Sequence, residues 1–235
     1  MRHTDKQLQQ PSRFPLVCFD LDGTLVDDTI YIWKTLHEGF KTNQTERERA
    51  YRDYFAGRIT YQEWFEHDLK LLRAAGATHS GIVKVCRGLQ VMTGAMDTLF
   101  ALRNAGAKIA VISGSIQTVL DVQFPGFDFD YVLINRIDFD DQGRIFGGVH
   151  TPFDVEAKAD GLLHLCQQMG ITPDAAVFVG DNENDVWIAK TAGLSIAFNC
   201  KSEKLSDVCD VEIKEKDLRR VLPHILCASH SAVVP

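Results

Sequence analysis

Short, almost continuous apolar runs restrict the folds open to this chain of 235 residues more than any other feature. The clearest runs are Pro15–Phe19, Ala107–Ile112 and Ala175–Val179, and Leu194–Phe198 and Val208–Ile213 are further candidates. Apolar runs without polar alternation are typical of parallel strands that are covered on both faces. The sequence therefore predicts a parallel sheet buried between layers of helices.

Apolar residues at helical spacing fill the stretches between these runs. Such a pattern precedes each of three glycines, Gly106, Gly170 and Gly193, and glycine commonly follows the last turn of a helix. Strands that alternate with helices form βαβ units. The predicted fold class is therefore α/β, a Rossmann-like parallel sheet flanked by helices, with a hairpin over Arg136–Val149.

One region departs from this alternation. From about Asp28 to Gln90 the patterns are helical, and Thr60-Tyr61-Gln62-Glu63 is a capping box that begins one of these helices. The chain is therefore predicted to form a small helical cap after its first strand and to return to the sheet near Met92. The predicted domains are a polar N-terminal tail (1–13), an α/β core (14–27 and 92–227), a helical cap (28–91) and a C-terminal tail (228–235).

Charge and composition exclude several classes of partner. The net charge of −7 and the pI near 5.6 argue against nucleic acid. The chain has neither an apolar stretch long enough to span a membrane nor an apolar segment in its first residues, so we expect no membrane partner and a cytoplasmic location. Its six cysteines form no C-x-x-C pair, so zinc binding is unsupported and free thiols are expected.

Acidic residues follow two of the predicted strands. Asp20 and Asp22 lie in Phe19–Leu25, directly after the first run, and Asp181 and Asp185 follow the third run. Because ligands bind beyond the carboxyl ends of strands in open α/β sheets, these carboxylates are predicted to meet. Helix capping would explain either group alone, but two acidic strand ends in one sheet favour an oxygen-ligand site for Mg²⁺.

Two weaker features would complete a phosphate site. Ser113-Gly114-Ser115 follows the second run, and a hydroxyl and backbone N–H groups at a strand end can bind an anion. The same tripeptide is also typical of an ordinary turn with Ser115 as a helix N-cap. Lys158 supplies a cation near a helix start, a position where lysine is usually solvated.

In this order, the four segments resemble motifs I to IV of the haloacid dehalogenase-like superfamily. The D-x-D-G-T form of the first motif resembles the phosphatase branch, and the insert is similar to a helical type-1 cap. Three later segments, Ala192–Leu194, Ile196–Asn199 and Lys216–Leu222, resemble the phosphoserine phosphatase-like subfamily. The resemblance extends over nearly all of Phe14 to Ile225.

The resemblance implies a role for each motif residue. Asp20 would be the nucleophile that forms an aspartyl-phosphate, and Asp22 the general acid and base. Ser113, Gly114 and Lys158 would bind the phosphoryl group. The ligands of Mg²⁺ would be the Asp20 carboxylate, the Asp22 backbone carbonyl and Asp181, with Asp185 acting through water or from behind these ligands. The partner would be a small phosphorylated metabolite.

The cap departs from the subfamily pattern at the positions expected to set substrate specificity. Thr29 stands where the phosphoserine enzymes have a glutamate, and Asp68 stands near the position of their arginine. An aspartate there would repel a substrate carboxylate, so we expect a substrate other than phosphoserine, with a cationic or neutral head group. A solvated acidic helix face is the alternative interpretation of Asp68 and its neighbour Glu66.

Other activities share parts of this pattern. A phosphotransferase or phosphomutase would use the same aspartyl-phosphate, so the motifs leave this alternative open. A non-catalytic phosphate-binding module is disfavoured because Asp20, Asp22, Lys158 and Asp181 are all present. A receiver-type signalling domain is disfavoured by Asp22, the helical insert and the late acidic cluster.

Overall fold

The computed structural model describes residues 12–27 and 29–227. Seven strands form one sheet in the order β6-β5-β4-β1-β7-β8-β9, and β2 pairs with β3 in a separate ribbon. The strands are β1 Leu16–Phe19, β2 Val26–Asp27, β3 Gln90–Val91, β4 Lys108–Ile116, β5 Tyr131–Phe139, β6 Ile145–Val149, β7 Ala176–Gly180, β8 Leu194–Phe198 and β9 Val211–Ile213. All pairs in the large sheet are parallel except β5–β6. The α/β prediction and the hairpin are confirmed.

Strand β1 lies at the centre of the sheet and shows why these runs form strands. Its four residues are fully buried. Val17 and Phe19 join the apolar cluster on one face of the sheet, whereas Leu16 and Cys18 join the cluster on the other. Successive side chains of a strand point to opposite faces, so a sheet covered on both faces requires an unbroken apolar run.

The register of the three central strands brings their polar ends together. Phe19 is level with Val111 of β4 and Val179 of β7. The residues that follow these positions therefore leave the sheet at one edge, beyond the carboxyl ends of the strands.

In the described part of the chain, ten helices lie around the sheet. They are α1 Ile32–Gly39, α2 Gln44–Phe55, α3 Tyr61–Ala74, α4 His79–Arg87, α5 Ala95–Asn104, α6 Gln117–Gln123, α7 Lys158–Met169, α8 Val186–Thr191, α9 Glu203–Ser206 and α10 Leu222–Ile225. Helices α1–α4 lie between β2 and β3 and are called the helical insert below. The capping box at Thr60 is confirmed, since its side chain accepts from Glu63 N and the Glu63 carboxylate accepts from Thr60 N.

Two local predictions differ from the structure. Strand β4 continues through Ser113–Ser115 to Ile116, with a register shift against β5, so Ser115 is not a helix N-cap. Its hydroxyl donates to Asp22 instead, at 2.9 Å. The segment predicted as helical is also not helical throughout, because Val91 at its end pairs with Val26 in the β2–β3 ribbon. This ribbon joins the two ends of the helical insert.

The last predicted strand is shorter than its apolar pattern suggests. It begins at Val211 rather than Val208, because backbone hydrogen bonds from Val208 and Cys209 to Leu205 extend the turn after α9. Within residues 12–27 and 29–227, no helix has the length and apolar character needed to cross a membrane. All six cysteines are free thiols.

Candidate active site

Three carboxylates converge at the carboxyl edge of the sheet. Asp20 follows β1, Asp181 follows β7, and Asp185 ends the short turn before α8. One oxygen from each lies within 4.8 Å of the others, although the three residues are at most 4% exposed. Like charges buried this closely are costly without a cation among them.

Lys158 supplies one such cation from the first residue of α7. Its Nζ donates to Asp20 Oδ1 and to Asp185 Oδ1, both at 2.7 Å, and its side chain is fully buried. Burial alone would lower the pKa of Lys158, but the charges of Asp185 and Asp20 outweigh it and raise the pKa above its usual value. The lysine is therefore held charged beside Asp20.

Asp22 occupies different surroundings from Asp20. Its Oδ1 accepts from the Ser115 hydroxyl at 2.9 Å, and its Oδ2 accepts from Ile32 N, the first residue of α1, at 2.6 Å. Burial, and then the charge of Asp20, raise the pKa of Asp22 to about 7, although the two hydrogen bonds oppose this shift. A carboxyl group that titrates near neutrality can donate a proton and later accept one.

The turn that follows Asp20 and Asp22 depends on a glycine. Gly23 has a φ of 84°, which favours a residue without a Cβ. A Cβ at this position would also overlap the carboxylate of Asp181. Gly23 thereby lets the loop after β1 approach the residues that follow β7.

Ser113 and Gly114 form the floor of the site beside the carboxylates. Ser113 is 2% exposed, and its Oγ accepts from Ser115 N at 3.2 Å. The carbonyl oxygen of Gly114 accepts from Trp33 Nε1 at 2.8 Å and from Asn135 Nδ2 at 2.6 Å. Trp33 of the insert and Asn135 of β5 thus hold this end of β4 from two sides.

The donor set fits a hard divalent cation. Asp181 Oδ1 is buried and has no hydrogen-bond partner among the described residues, whereas its Oδ2 accepts from Lys201 Nζ at 2.5 Å. Burial, together with the charges of Asp20 and Asp185, raises the pKa of Asp181, which marks an excess of negative charge. An unpaired carboxylate oxygen aimed among other carboxylates is a ligand that Mg²⁺ prefers.

Asp185 is more fully engaged than the other two acids. Besides Lys158, it accepts hydrogen bonds at its Oδ2 from Asp181 N at 3.0 Å and Asn182 N at 3.2 Å. These contacts use much of its accepting capacity. They suit a residue that positions the loop after β7 rather than one that binds a cation directly.

A cavity of about 180 Å³ opens above the carboxylates. Asp20, Asp22, Ser113 and Gly114 line its floor. Its walls are mainly aromatic and come mostly from the helical insert: Tyr31, Trp33, Tyr51, Phe55 and Trp64, with Arg47 among them. The site is therefore a polar floor below a largely aromatic chamber.

The two predicted specificity residues lie elsewhere. Neither Thr29 nor Asp68 lines this cavity. The hydroxyl of Thr29 is hydrogen-bonded to that of Thr35 at 2.9 Å, and Asp68 Oδ1 is paired with His37 Nε2 at 3.0 Å inside the insert. Asp68 is thus a buried partner of a histidine, and neither the repelling contact nor the solvated face expected from the sequence is present.

Several side chains of the site are not predicted by the sequence pattern. Lys201 pairs with Asp181 from the segment after β8, and Arg47 enters the cavity from α2. Arginines at positions 47, 49 and 52 share one helix and look alike in sequence. Arg47 differs from the other two only in the face of the helix on which it lies, and which face is buried depends on how α2 packs.

The fold places a cluster of buried carboxylates beyond the carboxyl ends of its strands, and their oxygens suit a hard divalent cation. The model of the haloacid dehalogenase-like hydrolase family matches residues 14–193. The chain belongs to this family.

Curated relatives narrow the comparison to phosphoric monoester hydrolases. The phosphoserine phosphatase of Methanocaldococcus jannaschii is 29% identical over 213 residues, covering 89% of this chain and 97% of that protein. That of Halobacterium salinarum is 32% identical over 211 residues, covering 88% and 96%. That of Archaeoglobus fulgidus is 31% identical over 205 residues, covering 86% of this chain but only 57% of that protein.

Solved structures give the same assignment of fold. A phospho-aspartyl intermediate analogue of phosphoserine phosphatase superposes with a TM-score of 0.71 at 27% identity, covering 90% of this chain and 99% of that one. A substrate-bound phosphoserine phosphatase complex gives a TM-score of 0.71 at 26% identity, covering 90% and 98%. The resemblance in the sequence to this superfamily is therefore confirmed.

Proposed function

We propose that this chain is a Mg²⁺-dependent phosphatase that hydrolyses a small phosphate monoester through a phosphorylated Asp20. The observation that carries the proposal is the contrast between two neighbouring carboxyl groups. Asp20 Oδ1 accepts a hydrogen bond from the buried Lys158 Nζ at 2.7 Å, whereas the pKa of Asp22 is raised to about 7. One group suits nucleophilic attack and the other suits proton transfer.

The two steps of the reaction follow from this arrangement. An Asp20 oxygen forms a bond to phosphorus while the bond from phosphorus to the leaving oxygen breaks, and Asp22 gives its proton to that oxygen. Asp22, now ionised, then takes a proton from a water molecule whose oxygen attacks phosphorus, and the bond from Asp20 to phosphorus breaks. Inorganic phosphate leaves, and both aspartates return to their first state.

Other residues of the site would bind the phosphoryl group and the cation. Lys158, the Ser113 hydroxyl and the loop at Gly114 would bind the phosphoryl oxygens. Asp20, Asp181 and the backbone carbonyl of Asp22 would hold Mg²⁺, with Asp185 behind them. When bound, the ion would neutralise charge that develops on the transferring group.

The identity of the monoester is a separate matter. The named relatives favour phosphoserine, but Thr29 and Asp68 do not line the cavity, so neither could take up the amino or carboxylate group there. A substrate other than phosphoserine stays our prediction. Transfer of the phosphoryl group to a second alcohol stays the alternative to hydrolysis.

A single assay tests the chemistry. Phosphate release is measured from a panel of phosphorylated metabolites, including phosphoserine, with Mg²⁺ or with a chelator, for the native protein and Asp20→Asn. We expect release that requires Mg²⁺ and is lost in Asp20→Asn but kept in Asp207→Asn, which changes an exposed aspartate. Mass spectrometry of the acid-quenched protein should detect a phosphate on Asp20.

The same assay can reject each part of the proposal. Native activity in Asp20→Asn would exclude this nucleophile. Recovery of the phosphoryl group as an ester of an added alcohol, rather than as inorganic phosphate, would establish the transferase alternative. The highest kcat/KM on phosphoserine would show that the prediction against this substrate is wrong.

A further inference from the structure

Arg47 is a buried cation in the active-site cavity. Its side chain lies on the cavity wall and the residue is 9% exposed. Its guanidinium carbon lies 5.5 Å from the ring centre of Tyr31, and its Nε is buried with no hydrogen bond. Within residues 12–27 and 29–227, no acidic side chain forms an ion pair with it.

The neighbouring arginines of α2 show that this position is unusual. Arg49 pairs with Glu46 and its side chain is 61% exposed, and Arg52 is exposed. A guanidinium removed from water loses hydration, and the ring of Tyr31 offers it no hydrogen-bond acceptor in return. Arg47 is therefore poised to bind an anionic group that enters the cavity.

That group is distinct from the transferring phosphate. Lys158, Ser113 and Gly114 already serve the phosphoryl position on the core side of the cavity, whereas Arg47 comes from the insert. A guanidinium can pair with a carboxylate or with a phosphate through two parallel hydrogen bonds. A second phosphate would bring about two negative charges into a cavity already lined by Asp20, Asp22 and Asp181.

Most of the cavity wall that the insert supplies is aromatic, and apart from Arg47 the polar lining residues outside the carboxylate and serine floor are Asp154, Asn182 and Asn184. Trp64 lies 5.8 Å from Tyr51 and 6.0 Å from Phe55 between ring centres, so these rings form one wall. The remaining acid, Asp154, accepts from the Tyr61 hydroxyl at 2.9 Å and from Val155 N at 2.7 Å. Each oxygen of Asp154 therefore already accepts one hydrogen bond from the protein.

We propose that the substrate is the phosphate monoester of an apolar hydroxy acid, whose carboxylate is bound by Arg47 and whose carbon skeleton packs against the aromatic wall. An amino group on the substrate is not needed for recognition. This inference rests on the proposed function, because the ester is placed with its phosphate at Asp20.

Matched esters isolate each group. We would compare kcat/KM for 4-carboxyphenyl phosphate and phenyl phosphate, and for 3-phosphooxypropanoate, phosphoserine and phosphoethanolamine. The native enzyme should prefer the carboxylated member of the aryl pair by about 10- to 100-fold, the usual contribution of a hydrogen-bonded ion pair. It should also hydrolyse 3-phosphooxypropanoate at least as well as phosphoserine.

Variants of α2 assign the preference to one residue. Arg47→Met keeps much of the apolar stem and should reduce the ratio between carboxylated and uncharged aryl esters to near one, mainly through KM. Arg47→Lys should restore part of the ratio. Arg52→Met, on the exposed face of the same helix, should leave the ratio as in the native enzyme.

A binding measurement separates this inference from the proposed function. Calorimetry with 4-(phosphonomethyl)benzoate and with benzylphosphonate needs no turnover, and the first should bind more tightly only while Arg47 is present. If esters are hydrolysed without a carboxylate preference, the inference is wrong and the function stands. If the binding preference exists but no ester is hydrolysed, the function is wrong and the anion site stands.

Two further results would overturn the inference. A preference for phosphoserine over 3-phosphooxypropanoate would establish recognition of an ammonium group. A bisphosphate that exceeds all carboxylated esters and depends on Arg47 would establish a second phosphate as the anion.

Discussion

Asp20 and Asp22 are two residues apart and yet have different surroundings. The strand-end pattern predicts that both face the crevice, because the loop after a parallel strand emerges there. The pattern does not predict how their surroundings differ. Asp20 is bonded to Lys158, 138 positions away in the sequence. Asp22 is bonded to Ser115 and Ile32, which are 93 and 10 positions away. The chemistry of each residue is thus set by contacts that are distant in sequence.

Asp22→Asn tests the assignment of proton transfer. The variant keeps the shape of the side chain but cannot donate or accept the proton, so we expect kcat to fall about 10²- to 10⁴-fold on an alkyl phosphate. On p-nitrophenyl phosphate, whose leaving group needs no proton, the first step should be spared. Stopped-flow absorbance should show a burst of nitrophenol equal to the enzyme, followed by slow turnover. Equal losses on both esters without a burst would contradict this role.

Asp181 allows a test of the cation that needs no substrate. Its buried Oδ1, which has no hydrogen-bond partner among the described residues, should become a ligand of Mg²⁺ when the ion binds. At a Mg²⁺ concentration about 100 times the Kd, the folded state should gain about 2.7 kcal/mol, which raises Tm by roughly 5 to 10 °C. Differential scanning calorimetry should detect this rise in the native protein and in Asp207→Asn, and lose it in Asp181→Asn. An equal rise in all three proteins would place the bound ion elsewhere.

At the scale of elements, local patterns predict what lies within one strand or helix. Strand β8 and the capping box of α3 match their predictions because their signals are contiguous in sequence. Strand β4 extends past its predicted end to Ile116, where Ser115 donates to Asp22, a residue 93 positions away. The hydrogen bonds between the insert and the core likewise join segments that are far apart, and no local pattern indicates them.

Tyr61 at the start of α3 is one such connection. Its hydroxyl donates to Asp154 Oδ2 at 2.9 Å and accepts from Asn135 Nδ2 at 3.0 Å. Tyr61→Phe removes both bonds but keeps the ring, so the insert should be held less firmly over Ser113 and Gly114. We expect kcat/KM to fall about 5- to 50-fold and amide exchange to rise at the start of α3. Tyr131→Phe, at the far end of β5 from the site, is the matched control, and an equal change in both variants would argue against this connection.

At the scale of the whole molecule, the insert and the core share one apolar cluster. Leu36, Leu72 and Ile82 of the insert are fully buried in the same cluster as Val17 and Phe19 of the central strand. Periodicity predicts that each of these residues is buried, but not which other residues cover it. For the same reason the aromatic wall and Arg47 could not be predicted, because both exist only where the insert folds over the edge of the sheet.

A shared cluster predicts that insert and core unfold together, although the sequence divides them into two domains. Leu72→Ala, in the insert, removes buried methyl groups and should lower the free energy of unfolding by about 2 to 5 kcal/mol. Because its neighbours in the cluster belong to both parts, the loss should appear as one transition at lower urea. In a Trp187→Phe background, tryptophan fluorescence reports only on Trp33 and Trp64 of the insert, while far-UV circular dichroism reports on the whole chain. Coincident midpoints for the two signals would establish a single cooperative unit. A fluorescence transition at lower urea would instead mean that the insert is a separate domain. The aromatic wall could then open while the sheet and its carboxylates stay folded.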